Sequence, residues 1–175
     1  MTRLPDFSSP VNSHGKDGVQ ELMPGDVALG LNGDQLKTLL GSCVTVILTD
    51  PRRTVGAMCH IVHVSKPSVS NKHNAAYGVV AMHEMFRLLG TVGIVPTLCH
   101  AFVYGGGNMF PHLVTSDNVG AKNGRWVMRF LHDHGIRVIE DSLEGAGYRK
   151  VSWTVGHGDP FVEMVLIQQG GPDVH

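Results

Sequence analysis

The chain reads Thr38-Leu39-Leu40-Gly41-Ser42-Cys43-Val44-Thr45-Val46 inside its most informative apolar stretch. The wider run from Leu36 to Leu48 is rich in apolar and β-branched residues, which favour strands, and Gly41-Ser42 predicts a bend inside it. A cysteine after such a bend can present its thiol to a substrate, because glycine lets another molecule approach the backbone closely. The stretch therefore predicts a strand-rich segment with a bend at Gly41-Ser42 and a candidate nucleophile.

A histidine follows in the next predicted strand. The turn Asp50-Pro51-Arg52-Arg53 leads into a strand from Val55 to Val64, which carries His60. We expect this strand to form a hairpin with the stretch from Leu36 to Leu48. If the two strands pair side by side, the imidazole can take the thiol proton, since the thiolate is the nucleophile. This pairing is typical of a cysteine hydrolase or acyl-transfer enzyme. The residues alone also allow Cys43 to be a small buried core residue, the common fate of a cysteine.

The rest of the chain predicts one α+β domain. The order of elements is neither a strict βαβ series nor all-β. Besides the strands above, the pattern predicts strands at Val27–Leu31, Cys99–Tyr104, Ile136–Ile139, Lys150–Val155 and Phe161–Ile167, a helix at Ala75–Leu89, and a helix from Asp117 or Asn118 to Gly135. Residues 1–20 are expected to be a flexible tail, residues 21–168 the folded domain, and residues 169–175 a C-terminal tail.

Composition narrows the classes of function. The chain has 175 residues and a net charge of −1, which gives no electrostatic reason to expect nucleic acid or an anionic membrane as a partner. We expect no signal peptide, and we expect no insertion into a membrane, because no apolar stretch approaches the roughly 20 residues that span a bilayer. Its three cysteines are an odd number, which favours a reduced, cytosolic protein.

Two dipeptides and a glycine run suggest other ligands. Cys59-His60 and Cys99-His100 offer sulfur and nitrogen, which zinc prefers. Both lie in predicted strands, where neighbouring side chains point to opposite faces, so we expect no metal and no cofactor. Gly105-Gly106-Gly107-Asn108 lacks the Gly-Lys-Ser/Thr ending of a phosphate loop. We expect it instead to let backbone approach the active site.

Motifs along the chain resemble the CheD family, the chemoreceptor glutamine deamidases of bacterial and archaeal chemotaxis. They occur in family order from residue 24 to residue 167. The matches are Leu40-Gly41-Ser42-Cys43-Val44, Asp50-Pro51, Gly56-Ala57-Met58, His60, Gly105-Gly106, Met109-Phe110, Gly120, Asn123, Gly135-Ile136 and the stretch from Gly145 to Arg149.

The resemblance implies a Cys-His-Thr active site, with Cys43 as nucleophile, His60 as base and Thr38 orienting the imidazole. In some members the threonine stands one position further from the cysteine, where this chain has Lys37; many relatives share the Thr38 spacing. Alternatively, Thr38 is a β-branched residue that merely suits a strand, and the active site is then a Cys-His dyad. The loops expected to hold the oxyanion and admit substrate contain Gly41, Ser42, Gly105 and Gly106.

The implied fold is a single-domain layered sandwich of mixed β-sheet flanked by helices, similar to the catalytic domains of deamidating toxins. The implied activity converts receptor glutamines to glutamate through a cysteine thioester, releasing ammonia. The implied partners are the cytoplasmic helices of chemoreceptors and, in some members, the CheC phosphatase. The alternative is a non-catalytic adaptor that binds receptors or CheC, and a small amidase acting on free substrates ranks last.

Overall fold

The apolar runs of the sequence form strands, and the runs with three- and four-residue spacing form helices. The computed structural model describes residues 18–113 and 117–167. Its elements are β1 (Val19–Leu22), β2 (Val27–Leu31), β3 (Gln35–Leu40), β4 (Val44–Thr49), β5 (Val55–Cys59), α1 (Gly78–Thr91), β6 (His100–Gly105), α2 (Val119–Asp133), β7 (Arg137–Leu143), β8 (Gly147–Thr154) and β9 (Phe161–Leu166). Short 3-10 helices lie at Val69–Asn71 and Pro96–Leu98.

Two sheets and a helical layer stack on one another. The central sheet has the order β2-β5-β4-β6-β7, and the outer sheet has the order β1-β3-β8-β9. Both sheets are mixed, because β6 pairs parallel with β7 and β1 pairs parallel with β3, whereas the other pairs are antiparallel. Both helices pack on one face of the central sheet. This confirms the predicted α+β class and the layered sandwich of mixed sheet with flanking helices.

Strand β4 shows why its sequence is apolar throughout. Val46 and Leu48 join the core under the helices, whereas Ile47 joins the core between the two sheets. All six residues of the strand are buried. A strand covered on both faces loses the usual apolar–polar alternation, which accounts for the continuous apolar run in the sequence.

The bend at Gly41-Ser42 carries the chain from one layer to another. Strand β3 before it belongs to the outer sheet, and β4 after it belongs to the central sheet. Strand β4 then pairs antiparallel with β5, as the hairpin prediction required. Cys43 therefore lies at the end of the sandwich, where the two sheets separate.

Several boundaries differ from the sequence prediction. Strand β1 begins at Val19, inside the segment expected to be a tail, while residues 1–17 and 168–175 lie outside the described residues. The strand predicted to reach Val64 ends at Cys59, because the next segment turns to bond with the loop before α1. Helix α1 passes through Gly90, where we expected it to end. Within the described residues, no helix has the length and apolar character needed to cross a membrane.

Candidate active site

The strand register brings Cys43 and His60 to one face of the central sheet. Val44 pairs with Ile61, and Ile47 pairs with Met58 in the same antiparallel register. This register sets Cys43 opposite the residue two positions beyond His60, so the two side chains are diagonal neighbours on the face towards the outer sheet. Cys43 packs against the core between the two sheets, and His60 bonds to Thr38 of the outer sheet, so both residues lie in the layer between the sheets.

Thr38 lies against the imidazole from the outer sheet. Its Oγ1 is 2.8 Å from His60 Nδ1 and donates to the Leu22 carbonyl, also at 2.8 Å. A hydroxyl carries one hydrogen, so Thr38 donates to Leu22 and accepts from Nδ1–H. The neutral imidazole is then protonated on Nδ1 and keeps its lone pair on Nε2. Thr38 thus sets the tautomer that a general base needs.

The neighbouring Lys37 points the other way. Its ammonium lies 3.9 Å from the Glu21 carboxylate, and both side chains are about half exposed or more. Thr38 is 4% exposed. Successive residues of a strand face opposite sides, so only one of the two can reach His60. The structure places Thr38 there.

Burial shifts the pKa values of Cys43 and His60 in opposite directions. Burial raises the pKa of the Cys43 thiol. Burial also lowers the pKa of His60, against smaller upward effects of the Leu22 carbonyl and the Asp26 charge. Both shifts favour the neutral forms of the two groups, a thiol and an unprotonated imidazole.

The main chain of His60 is also fixed. Its N–H donates to the Asp26 carbonyl at 3.1 Å, and its own carbonyl accepts from the Gly25 N–H at 2.9 Å. The turn between β1 and β2 therefore holds the histidine from the side of its backbone, while Thr38 holds the ring. Such double support limits the orientations of the base.

Each carbonyl of the bend before β4 has a donor. The Gly41 carbonyl accepts from Gly107 N–H and the Cys43 carbonyl from Gly106 N–H, both at 2.9 Å. The Ser42 carbonyl accepts from Asn123 Nδ2 at 3.0 Å. In a trans peptide the N–H points away from the carbonyl, so the Ser42 and Cys43 amides point away from these donors. These N–H groups can donate hydrogen bonds to an oxyanion.

Gly105 and Gly106 lie against the backbone of Cys43. Gly105 has a φ of +119°, and a Cβ there would lie 2.2 Å from the Cys43 carbonyl oxygen. The Gly106 N–H is already bonded to that carbonyl. Buried Arg149 donates to the Gly105 carbonyl at 3.2 Å. Gly105 and Gly106 therefore pack directly against the main chain of Cys43.

The cysteine–histidine dipeptides do not converge. Cys59 is buried under the helices with its Sγ 3.8 Å from the Val46 carbonyl, whereas His60 faces Thr38 on the other side. Burial raises the pKa of Cys59 to about 12 and that of Cys99 to about 11. Among residues 18–113 and 117–167, no group of three or more His, Cys, Asp or Glu side chains could hold a metal ion.

Three groups at the site were not assigned a role from the sequence: the Leu22 carbonyl, Asp26 and Asn123. A backbone carbonyl leaves no signal in a sequence. Asp26 has no spacing relation to His60 that would indicate their contact. Asn123 was noted only as a match to the CheD family, and it lies 81 positions after its partner Ser42 in the chain.

These features together define a candidate cysteine amidohydrolase site in an α+β sandwich. A family model described as CheD chemotactic sensory transduction matches residues 63–164. A protein of Albidiferax ferrireducens named probable chemoreceptor glutamine deamidase CheD 2 is 36% identical over 149 residues, covering 83% of this chain and 86% of that protein. The chain belongs to the CheD family.

Further comparisons are more distant. A protein of Pseudomonas savastanoi pv. phaseolicola named probable chemoreceptor glutamine deamidase CheD is 28% identical over 150 residues, covering 83% of this chain and 85% of that protein. Among solved structures, the hypothetical protein YfiH of Bacillus licheniformis is 14% identical with a TM-score of 0.41. That match covers 74% of this chain and 60% of the other, and at this TM-score it carries no argument about fold or function.

Proposed function

We propose that this chain is a chemoreceptor glutamine deamidase, which converts glutamine side chains of methyl-accepting receptors to glutamate and releases ammonia. The main observation behind this proposal is the buried Thr38–His60 hydrogen bond of 2.8 Å. It occupies Nδ1 and leaves the lone pair on Nε2, in the layer between the sheets where Cys43 also packs. Membership of the CheD family supports the substrate class, since relatives carry that activity in their names.

The first step is formation of a tetrahedral adduct. His60 Nε2 takes the thiol proton of Cys43 while the sulfur attacks the side-chain amide carbon of the receptor glutamine. The amide oxygen gains negative charge and accepts hydrogen bonds from the Ser42 and Cys43 N–H groups. The Thr38 hydroxyl accepts from Nδ1–H throughout, so the imidazolium that forms stays in place.

The second step expels ammonia. His60 delivers its Nε2 proton to the amide nitrogen, the carbon–nitrogen bond breaks, and a thioester joins Cys43 to the receptor side chain. Water then enters, gives a proton to Nε2 and attacks the thioester carbonyl. The carbon–sulfur bond breaks, the thiolate recovers the proton from His60, and glutamate is released. No cofactor takes part in these proposed steps.

The proposed partners follow from the substrate. The cytoplasmic helices of chemoreceptors carry the glutamines, so the proposed place of action is the cytoplasm. A CheC-type phosphatase is a second proposed partner, supported by the family resemblance. Each reaction replaces a neutral amide by a carboxylate, which changes the charge of a packed helical bundle.

An adaptor that binds receptors without turnover is the second candidate. Surface docking alone has no chemical use for a histidine tautomer fixed by a buried hydroxyl beside a thiol. The arrangement at Thr38 and His60 therefore favours the enzyme.

The deciding experiment incubates a receptor cytoplasmic fragment with the protein and measures its mass and the ammonia released. Wild-type protein should raise the fragment mass by the exchange of NH₂ for OH at defined glutamines. Cys43→Ala should abolish the change while keeping the circular dichroism spectrum. Cys99→Ala removes a thiol from the core, outside the site, and should remain active. Receptor binding without any mass change by wild type would favour the adaptor.

A further inference from the structure

The central sheet opens beside the nucleophile. Val44 and Ile61 exchange both of their backbone hydrogen bonds, at 3.0 and 2.8 Å. In a continued antiparallel ladder, the next pair to exchange bonds would be Ser42 and His63. The strands diverge before that pair can form, at the level of Cys43.

The backbone of His63 bonds to the segment before α1 instead. Its N–H donates to the Ala76 carbonyl at 3.0 Å, and its carbonyl accepts from the Gly78 N–H at 2.8 Å. The groups that would have paired with Ser42 are therefore engaged elsewhere. The opening leaves the bend before Cys43 without its ladder neighbour.

Asn123 fills this opening from the helical layer. It lies on the inner face of α2, is 1% exposed, and donates through Nδ2 to the Ser42 carbonyl at 3.0 Å and the Val62 carbonyl at 3.1 Å. One amide group thus joins the residue before Cys43 to a residue just beyond His60. Asparagine is a weak helix former, and burying its amide costs free energy unless the amide is hydrogen-bonded. The two hydrogen bonds therefore account for an asparagine at this position.

Helix α2 reaches the opening because Gly120, in its first turn, has no side chain. A Cβ at Gly120 would lie 2.4 Å from the carbonyl oxygens of Gly106 and Gly107, so the helix rests directly on that backbone. Asn118 caps the helix by accepting from the Ala121 N–H at 3.0 Å. The position of Asn123 is therefore set by contacts with Gly106 and Gly107, whose N–H groups bond to the carbonyls of Cys43 and Gly41.

The bond to Ser42 acts on the nucleophile's own amide. The Ser42 carbonyl and the Cys43 N–H belong to one planar trans peptide and point in opposite directions. Holding the carbonyl therefore fixes the direction of the N–H, and a hydrogen bond to the carbonyl also polarises that N–H as a donor. We propose that Asn123 is a positioning residue for deamidation, which aims the Cys43 N–H at the oxyanion that forms on the receptor glutamine.

This inference rests on the proposed function, and its test separates an oxyanion effect from a general disturbance of the site. Asn123→Ala and the nearly isosteric Asn123→Asp are compared with wild type in kcat on a receptor fragment and in the rate of Cys43 alkylation by iodoacetamide. Alkylation forms no oxyanion. We expect kcat to fall about a hundredfold, the scale for one lost oxyanion donor, with alkylation changed only a few-fold.

Thr49→Val is the matched control. Thr49 is buried at the far end of β4 and donates to the Val55 carbonyl at 2.8 Å, so the variant loses one buried hydrogen bond outside the site. It should keep wild-type kcat. If kcat of both Asn123 variants stays within a few-fold of wild type, or falls in proportion to alkylation, the positioning role is wrong.

A readout independent of turnover completes the test. The backbone ¹⁵N resonance of Cys43 should move when the bond to the Ser42 carbonyl is lost, and it should not move in Thr49→Val. An unmoved Cys43 resonance in a folded Asn123 variant contradicts the inference. If wild type deamidates no receptor, the proposed function fails while this measurement still decides the geometry.

Discussion

Replacing Thr38 by valine tests the hydrogen bond on which the proposed base depends. The hydroxyl bonds two partners that are themselves buried: Leu22 is 1% and His60 is 3% exposed. Leaving a buried polar group unpaired costs about 1–3 kcal/mol. Valine matches the shape of threonine, so no cavity adds to this. The Leu22 carbonyl already acts on the pKa of His60 and can accept from its ring, which recovers part of the loss.

We therefore expect Thr38→Val to lower the free energy of unfolding by about 2 kcal/mol, which corresponds to a fall in Tm of roughly 4–8 °C for a domain of this size. Turnover should fall by about tenfold or more, because the imidazole loses the hydroxyl that holds its orientation. Thr38→Ser keeps the hydroxyl and should retain more activity.

The assay measures initial rates of ammonia release from a receptor fragment, with thermal melting of each variant by circular dichroism. Lys37→Ala is the matched control, since that side chain lies on the solvent side of the same strand and pairs with Glu21. It should leave the rate unchanged. A Thr38→Val enzyme with the expected loss of stability but nearly wild-type turnover would refute the orienting role and leave Cys43 and His60 as a dyad.

Three more outcomes follow from the charges and burial of the site. Because burial lowers the pKa of His60 and the neutral ring is the base, the acid limb of kcat/KM should lie below pH 6.5, the usual histidine pKa, and Asp26→Asn should move it lower still by removing a negative charge; a limb above pH 6.5 would contradict this. Iodoacetamide should label half-buried Cys43 before Cys99 and Cys59, and His60→Ala should slow that labelling, as peptide mapping can measure. A strong chelator should change neither ammonia release nor Tm; loss of activity with one zinc released per chain would overturn this.

Local pattern was enough for the parts of the fold that depend on neighbours in sequence. The sequence pattern predicted a helix over Ala75–Leu89, and the structure has α1 at Gly78–Thr91 with Met82, Met85 and Leu89 buried. The apolar run after Cys43 predicted β4, and the turn at Asp50 predicted its hairpin with β5. Period and turn chemistry are properties of short segments, so they can be read without knowing what packs on them.

The candidate site was predicted in part for the same reason. A bend before Cys43 and a histidine in the next strand of a hairpin constrain each other through local pairing. The resemblance to the CheD family supplied the threonine, and the structure then distinguished Thr38 from Lys37. A strand pattern states that the two face opposite sides, and only the packing of β3 over the central sheet states which side faces His60.

The sequence by itself determined the helices, most of the strands, the pairing of β4 with β5, and the presence of a thiol and an imidazole near one bend. Tertiary structure alone decided that β3 and β4 lie in different sheets, that the Leu22 carbonyl sets the histidine tautomer through Thr38, and that Asn123 reaches Ser42 across the helical layer. The reason is physical: local periodicity fixes which residues share a face, whereas contacts between layers join segments far apart in the chain, and their partners are chosen only when the whole core closes.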